Sequence, residues 1–379
     1  MHLRSITEVD LFEKRVLLRV DFNVPIRHGQ VVDDLRIKAV LPTIQYLKKR
    51  RAKIILISHL GDPKRTNHKN TLKPIAKCLE CPLVSDYQKA LQIIAQMKPG
   101  KMILLENLRF HPGEKKNDPV FARQLARLAD VYINDAFSVS HREHASVSAI
   151  TKLLPGYAGL RLLDEVKSLS RVLAANQHPL VIMIGGLKAE TKFKIIQLLQ
   201  RRADWFLLSS IIRNTFFKVL GYPIGQSDYE PNIIPLVKKN LTLRKFILPV
   251  DVKIKTDNKA KVVEIGDLSQ WKKKNFEILD IGPKTINLFA DYLKSAKMIV
   301  WNGPVGQFND PRFALGTNAL AKTIAQNHRA WVVIGGGSTI RAIKKHRLSK
   351  KVLISTGGGA MLDFLTGRIL PGLRPLLKH

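Results

Sequence analysis

Leu180–Ile184 is a run of five apolar residues that leads directly into Gly185-Gly186, and from there into a segment of helical composition, Ala189–Leu199. A short, β-branched, proline-free run of this kind reads as a buried parallel strand. The glycine pair lets the backbone turn tightly and approach a ligand closely. Lys188 then stands at the mouth of the following helix, with Lys192 about one turn further on. Free N–H groups at a helix start, together with two ammonium groups, make a place for phosphate. The plain alternative is a βα turn carrying two solvated lysines.

The same unit recurs along the chain. Val16–Val20, Ile54–Ile57, Met102–Leu105 and Val131–Ile133 are compact apolar runs separated by amphipathic segments. A second series, Trp205–Leu208, Met298–Trp301, Trp331–Ile334 and Val352–Ile354, continues the pattern begun at Leu180. Alternation of this kind predicts an α/β protein with parallel sheets and helices on both faces. Ligands in such sheets bind beyond the carboxyl ends of the strands. Those ends carry Asp21 and Asn23, Ser58 and His59, Glu106 to Arg109, and Asn134 and Asp135 in the first half, a grouping that reads as a crevice. In the second half they are glycine-rich: Gly185-Gly186, Asn302-Gly303, Gly335-Gly336-Gly337 and Thr356-Gly357-Gly358-Gly359. Several such ends suggest a backbone cradle for a nucleotide. No G-x-x-x-x-G-K-[ST] loop is present and no G-x-G-x-x-G follows the first strand, which argues against a P-loop or a dinucleotide fold.

Leu160–Ala175 reads as a long amphipathic helix connecting the two series, and Val250–Leu268 as a strand-rich insertion. At 379 residues the chain has room for two domains with full cores. Its 63 Lys and Arg against 30 Asp and Glu give a net charge of +33, which favours anionic partners. Basic runs such as Lys48-Lys49-Arg50-Arg51 and Lys344-Lys345-His346-Arg347 fall where helices should end and complement the helix dipole. No aromatic RNA-binding motif, helix-turn-helix or zinc knuckle accompanies the charge, so a specific nucleic-acid partner is not expected. The start, MHLRSITEVD, has no apolar leader, and no run reaches membrane-spanning length. A cytoplasmic location without membrane partners is the expectation. Cys78 and Cys81 lack a second ligand pair at zinc spacing and read as ordinary thiols.

VLLRVDFNVP (16–25), DDLRI (33–37), SHLG (58–61), LLENLRFHPGE (104–114), NDAFSVSHREHAS (134–146), LPVDV (248–252), DIGPKT (280–285), WNGPVG (301–306) and STGGGA (355–360) together resemble the phosphoglycerate kinase family. The match runs in order through nearly the whole chain. The resemblance implies two doubly wound, Rossmann-like domains facing across a hinged cleft. Residues 1–165 with 367–379 would hold 3-phosphoglycerate, and residues 166–366 the nucleotide. It implies a monomeric glycolytic kinase that moves a phosphoryl group between 1,3-bisphosphoglycerate and ADP, giving 3-phosphoglycerate and ATP, in line and after domain closure. The alternative is an impaired kinase-like binding protein that keeps the triose-phosphate site.

By motif match, Asp21, Asn23, Arg36, His59, Arg109 and Arg142 resemble the triose-phosphate site. Arg36, Lys188 and Gly358 resemble the catalytic set. Lys188, Lys192, Asn302, Asn309, Gly335, Gly336, Gly337, Ser338, Thr339, Thr356 and Gly357 resemble the nucleotide site, with Mg2+ expected to accompany ATP or ADP. Structural alternatives exist for two of these: Asp21 as a partner of Arg36, and His59 as a hydrogen-bonded core imidazole. Relative to the family pattern, Ser338 replaces a magnesium-binding aspartate, so no protein carboxylate is expected on the metal. Asn309 replaces a ribose-binding glutamate. Ser209, Ser210, Ile211 and Arg213 replace small residues and are expected to narrow the nucleotide pocket. Asp62 stands where a phosphate-binding arginine is usual and should repel phosphate unless Lys64 or Arg65 compensates.

Overall fold

The computed structural model describes residues 1–63, 68–174, 177–187, 189–240, 244–343, 346, 348–349 and 351–378. The chain divides into two compact units, Met1–Ser170 with Gly367–His379, and Arg171–Thr366. The division falls inside one helix, Leu160–Ala174.

The first unit contains β1 (Arg15–Arg19), β2 (Ile26–Arg27), β3 (Gln30–Val31), β4 (Lys53–Ile57), β5 (Leu83–Val84), β6 (Met102–Leu105), β7 (Val131–Asn134) and β8 (Gly156–Ala158). Six of these form a sheet in the order β5-β6-β4-β1-β7-β8, with every pairing parallel. The side-chain period of two along each strand explains why these runs are apolar throughout. Val16 and Leu18 pack into one core and Leu17 into another, as do Ile54 and Leu56 against Ile55 and Ile57. Helix Leu35–Lys49 covers one face with Ile37, Val40, Ile44 and Leu47, spaced to lie on one side of a helix. The C-terminal segment closes this unit: Arg4 N–H donates to the Leu376 carbonyl at 2.8 Å, and Lys378 N–H to that of His2 at 3.0 Å.

The second unit contains β9 (Leu180–Ile184), β10 (Trp205–Leu208), β11 (Phe246–Ile247), β12 (Asp251–Thr256), β13 (Lys259–Glu264), β14 (Glu277–Ile281), β15 (Met298–Asn302), β16 (Trp331–Gly335) and β17 (Val352–Ser355). Its main sheet is also parallel and runs β11-β10-β9-β15-β16-β17. Strand order reverses between β9 and β15, which is the crevice-forming switch point of a doubly wound sheet. β12, β13 and β14 make a separate antiparallel sheet, so the strand-rich reading of 250–268 is a hairpin with a third strand added from further on. Among the described residues no helix is long and apolar enough to cross a membrane. Both cysteines are free, and burial pushes the Cys81 thiol up to about 11.

Candidate functional site

In the first unit, the loops after β1, β4 and β6 carry Asp21, Asn23, His59 and Arg109; Asn23 links to Asp21 directly and to Arg109 through Gly61, while His59 is bonded to Arg19. Asp21 is 5% exposed. One of its oxygens accepts from Arg36 Nη1 at 2.7 Å and from the Ser138 hydroxyl, and the other from Asn23 N–H at 3.0 Å. Burial alone would raise this carboxyl, but Arg36 and His59 with those hydrogen bonds hold it below the usual range. Asp21 therefore does pair with Arg36, and the pairing fixes one edge of the guanidinium.

His59 is buried and titrates well below its ordinary value, first through desolvation and then through the Arg19 charge. Its Nδ1 lies 3.3 Å from Arg19 Nη2. A guanidinium only donates, so Nδ1 must accept and the ring proton sits on Nε2. The imidazole is neutral at pH 7, with a single N–H to offer a ligand.

Arg19 is the residue that motif matching passed over. It is fully buried at the end of β1, with Nε donating to Ser146 Oγ at 2.9 Å and Nη1 to the Val20 carbonyl. Ser146 donates in turn to Glu114 Oε1 at 2.7 Å, and its N–H reaches Oε2 at 3.0 Å. Glu114 is itself fully buried. Desolvation would raise its carboxyl, but His144, Arg19 and the Ser146 bonds hold it below the usual glutamate value. His144 Nδ1 stands 3.7 Å from that carboxylate. The available signal for Arg19 was a charged residue directly after the apolar run Val16–Leu18 and before Val20.

Arg109 is 8% exposed and donates to the Gly61 carbonyl, while Gly61 N–H donates to Asn23 Oδ1 at 2.9 Å. Arg142 is exposed on the loop beyond β7 and, after burial, its charge is the largest influence lowering Arg109. Asp62 pairs with Lys115 Nζ at 2.9 Å, so the compensating cation is Lys115; Lys64 and Arg65 lie outside the described residues.

Other polar strand ends do not belong to this site. Ser58 bridges the Phe22 N–H and the Val20 carbonyl, and Glu106 accepts from Thr71, Leu72 N–H and Asn107 N–H. Asn134 donates to the Gly372 carbonyl. Asp135 accepts from Leu162 N–H at 3.0 Å at the start of helix Leu160–Ala174, and burial pushes it up to about 6. The crevice reading of these four is corrected: each satisfies backbone groups that the sheet and helices leave open.

The second unit holds a cavity of ≈ 820 Å³ at its switch point. Lys192, Asn302, Asn309, Gly336, Gly337, Ser338, Thr339 and Gly358 line it; Gly335, Thr356 and Gly357 are not among its lining residues. Lys188 lies outside the described residues. The floor is backbone: Gly185 N–H donates to the Asn302 carbonyl at 3.0 Å, and Gly186 N–H to that of Pro304 at 2.9 Å. A Cβ on Gly303 would lie 1.9 Å from the Gly185 carbonyl oxygen, and Gly303 takes φ +98°. Only glycine allows these two strand ends to meet so closely. Thr339 accepts from Gly303 N–H at 2.8 Å and locks the turn, so its hydroxyl supports the floor. Asn302 is 3% exposed, and its Oδ1 has no hydrogen-bond partner among the described residues. An unsatisfied buried acceptor on a cavity wall suits a ligand donor.

Of the bulkier residues expected to narrow this cavity, Ser210, Ile211 and Arg213 line it. Ser209 donates to the Ile184 carbonyl at 3.0 Å, and Ser210 to those of Pro304 and Val305. Arg213 is 1% exposed and its guanidinium donates to Asn214 Oδ1 at 2.8 Å and, more distantly, to the carbonyls of Ile278 and Asp280. Burial brings it down to about 10, still protonated at pH 7. Ser338 is exposed, 3.5 Å from Arg341. Among the described residues no three His, Cys, Asp or Glu side chains gather to hold a metal. Mg2+ takes hard oxygen ligands in octahedral array, and at position 338 the chain offers a neutral hydroxyl.

One unit thus gathers buried arginines at its strand ends, and the other holds a glycine-floored cavity. A family model described as phosphoglycerate kinase matches residues 6–368. The phosphoglycerate kinase of Pelotomaculum thermopropionicum is 42% identical over 397 residues, covering 100% of each chain. That of Dictyoglomus turgidum is 42% identical, covering 98% of each. Among solved structures, phosphoglycerate kinase from Coxiella burnetii aligns with TM-score 0.85 and 36% identity over 99% of both chains. The Pyrococcus horikoshii enzyme aligns with TM-score 0.88 and 30% identity over 99% of this chain and 98% of that one.

Proposed function

The chain belongs to the phosphoglycerate kinase family and is a kinase, and we propose that it catalyses reversible phosphoryl transfer between 1,3-bisphosphoglycerate and ADP. The observation that carries this reading is the pairing of one anion site and one nucleotide-sized cavity, each at the carboxyl ends of a parallel sheet. Residues 1–165 with 367–379 bind the triose phosphate and residues 166–366 the nucleotide.

Phosphoryl transfer asks the protein for positioning and for charge around the equatorial oxygens. Asp21 holds Arg36 by its Nη1, presenting a guanidinium oriented before substrate arrives. His59, neutral and protonated on Nε2, donates to the triose while adding no second positive charge beside Arg19. Asn23, Arg109 and Arg142 complete the triose-phosphate site. Lys192 and the N–H groups of Gly336 and Gly337 receive the nucleotide phosphates, and Asn302 and Asn309 its hydroxyls. Arg36, Lys188 and Gly358 act on the transferring group, in line, once the two units close. Magnesium would supply charge neutralisation on the nucleotide, and Ser338 would offer it a hydroxyl in place of a carboxylate. The protein works as a cytoplasmic monomer.

A coupled assay with Mg-ATP and 3-phosphoglycerate tests the whole reading. Turnover is expected, with Arg36→Ala lowering kcat by about 10²–10³, the scale of losing one transition-state donor. Binding of 3-phosphoglycerate without any turnover would overturn it.

A further inference from the structure

One exposed carboxylate sits among cations that the proposed chemistry needs for something else. The turn after β4 is pinned at Gly61, whose N–H bonds Asn23 and whose carbonyl accepts from Arg109. Gly61 adopts φ +62°, which swings the next residue, Asp62, back toward the arginine. Asp62 Oδ1 is 2.9 Å from Lys115 Nζ and 3.8 Å from Arg109 Nη1, and Oδ2 is 3.3 Å from the same lysine. The Lys115 hydrogen bond, opposed only by slight burial, holds the carboxyl below its ordinary range, and the charges of Arg109 and Arg142 add to it.

Arg109 meanwhile is underused. It is 8% exposed, and its Nε has no hydrogen-bond partner among the described residues. A planar guanidinium buried with an open donor is suited to an oxyanion. Among the described residues the anion paired with it is the Asp62 carboxylate, offset beyond hydrogen-bond reach and 63% exposed. Its partner Lys115 is 51% exposed. Such a pair is weak and easily exchanged.

We propose that Asp62 is a built-in competitor: its carboxylate occupies the Arg109–Lys115 cluster until the phosphate of the triose displaces it, releasing Lys115 to bind that phosphate. This rests on the reading that these cations hold the triose phosphate. A phosphate monoester carries up to two negative charges against the carboxylate's one, so it wins the exchange. The effect is a lower resting affinity for phosphate-bearing ligands, with no loss in the rate of the bound complex.

Asp62→Asn keeps the shape and removes the charge. In steady-state kinetics its KM for 3-phosphoglycerate should fall about two- to fivefold with kcat unchanged, the range expected for removing an exposed ion pair. Inorganic phosphate, titrated calorimetrically into both proteins, should bind the variant tighter by the same factor. Arg109→Ala is the companion and should raise KM. If Arg109→Ala raises KM while Asp62→Asn leaves it unchanged or raises it, the competitor is overturned and the placement of the triose phosphate stands. If neither variant moves KM or phosphate affinity, that placement falls and the proposal with it.

Discussion

The two units build their candidate sites from different materials. The first uses long charged side chains, each steered by a buried neighbour: Asp21 on Arg36, Arg19 on His59, Glu114 through Ser146 on Arg19. The second uses main chain, with glycines where two strand ends touch and hydroxyls turned into the wall. The contrast explains where each site tolerates change. Side chains can be exchanged around the second cavity because its floor is not made of them. In the first, a single altered side chain breaks a chain of buried contacts.

The sharpest way to break this contrast is to give Gly303 a side chain. Gly303→Ala places a methyl 1.9 Å from a backbone oxygen at a φ of +98°, and should destabilise the second unit by more than about 4 kcal/mol. Denaturant unfolding reads it, and a loss under 1 kcal/mol would show that the floor can move. Next in size is Glu114→Gln in the first unit. It leaves Arg19 buried without its compensating charge, at a cost of about 3 kcal/mol. The sign with pH follows from the lowered Glu114 carboxyl. Its contribution is full above the unfolded glutamate value near about 4.3 and is lost as pH falls through the folded one. The gap between wild type and variant should therefore close in acid; a gap constant from pH 7 to pH 3 would count against a charged Glu114. The smallest effect belongs to Ser210→Gly. Relief of a φ of +51° offsets the loss of two hydroxyl contacts, so stability should change by less than about 1 kcal/mol.

Much of this was legible beforehand, unevenly and for a physical reason. Parallel strands buried on both faces must be apolar throughout, so the apolar runs marked β1, β4, β9 and β15 nearly to the residue. Asp21, Asn23 and His59 stood out because polar groups at such ends need an explanation. Burial is a property of neighbours distant in sequence, and there the reading ran out. Arg19 and Glu114 lay in plain view within matched motifs, yet their roles depend on Ser146. Arg213 lines the cavity it was expected to narrow, but the carbonyls that hold it come from β14, more than sixty residues on. Gly335 looked like its neighbours, yet a Cβ there would meet Met361 at 2.6 Å, so it serves packing.

The return of residues 367–379 to the first unit bears on how the molecule is made. Leu3 and Leu377 form an antiparallel bridge, and Gly372 N–H bonds the Ser140 carbonyl. On the ribosome residues 1–170 emerge before the second unit but lack their closing piece until residues 367–379 follow it, whereas the second unit is one uninterrupted segment. The part synthesised earliest is thus the last to be finished, and nascent chains stalled short of residue 367 would expose an open flank for chaperones to guard.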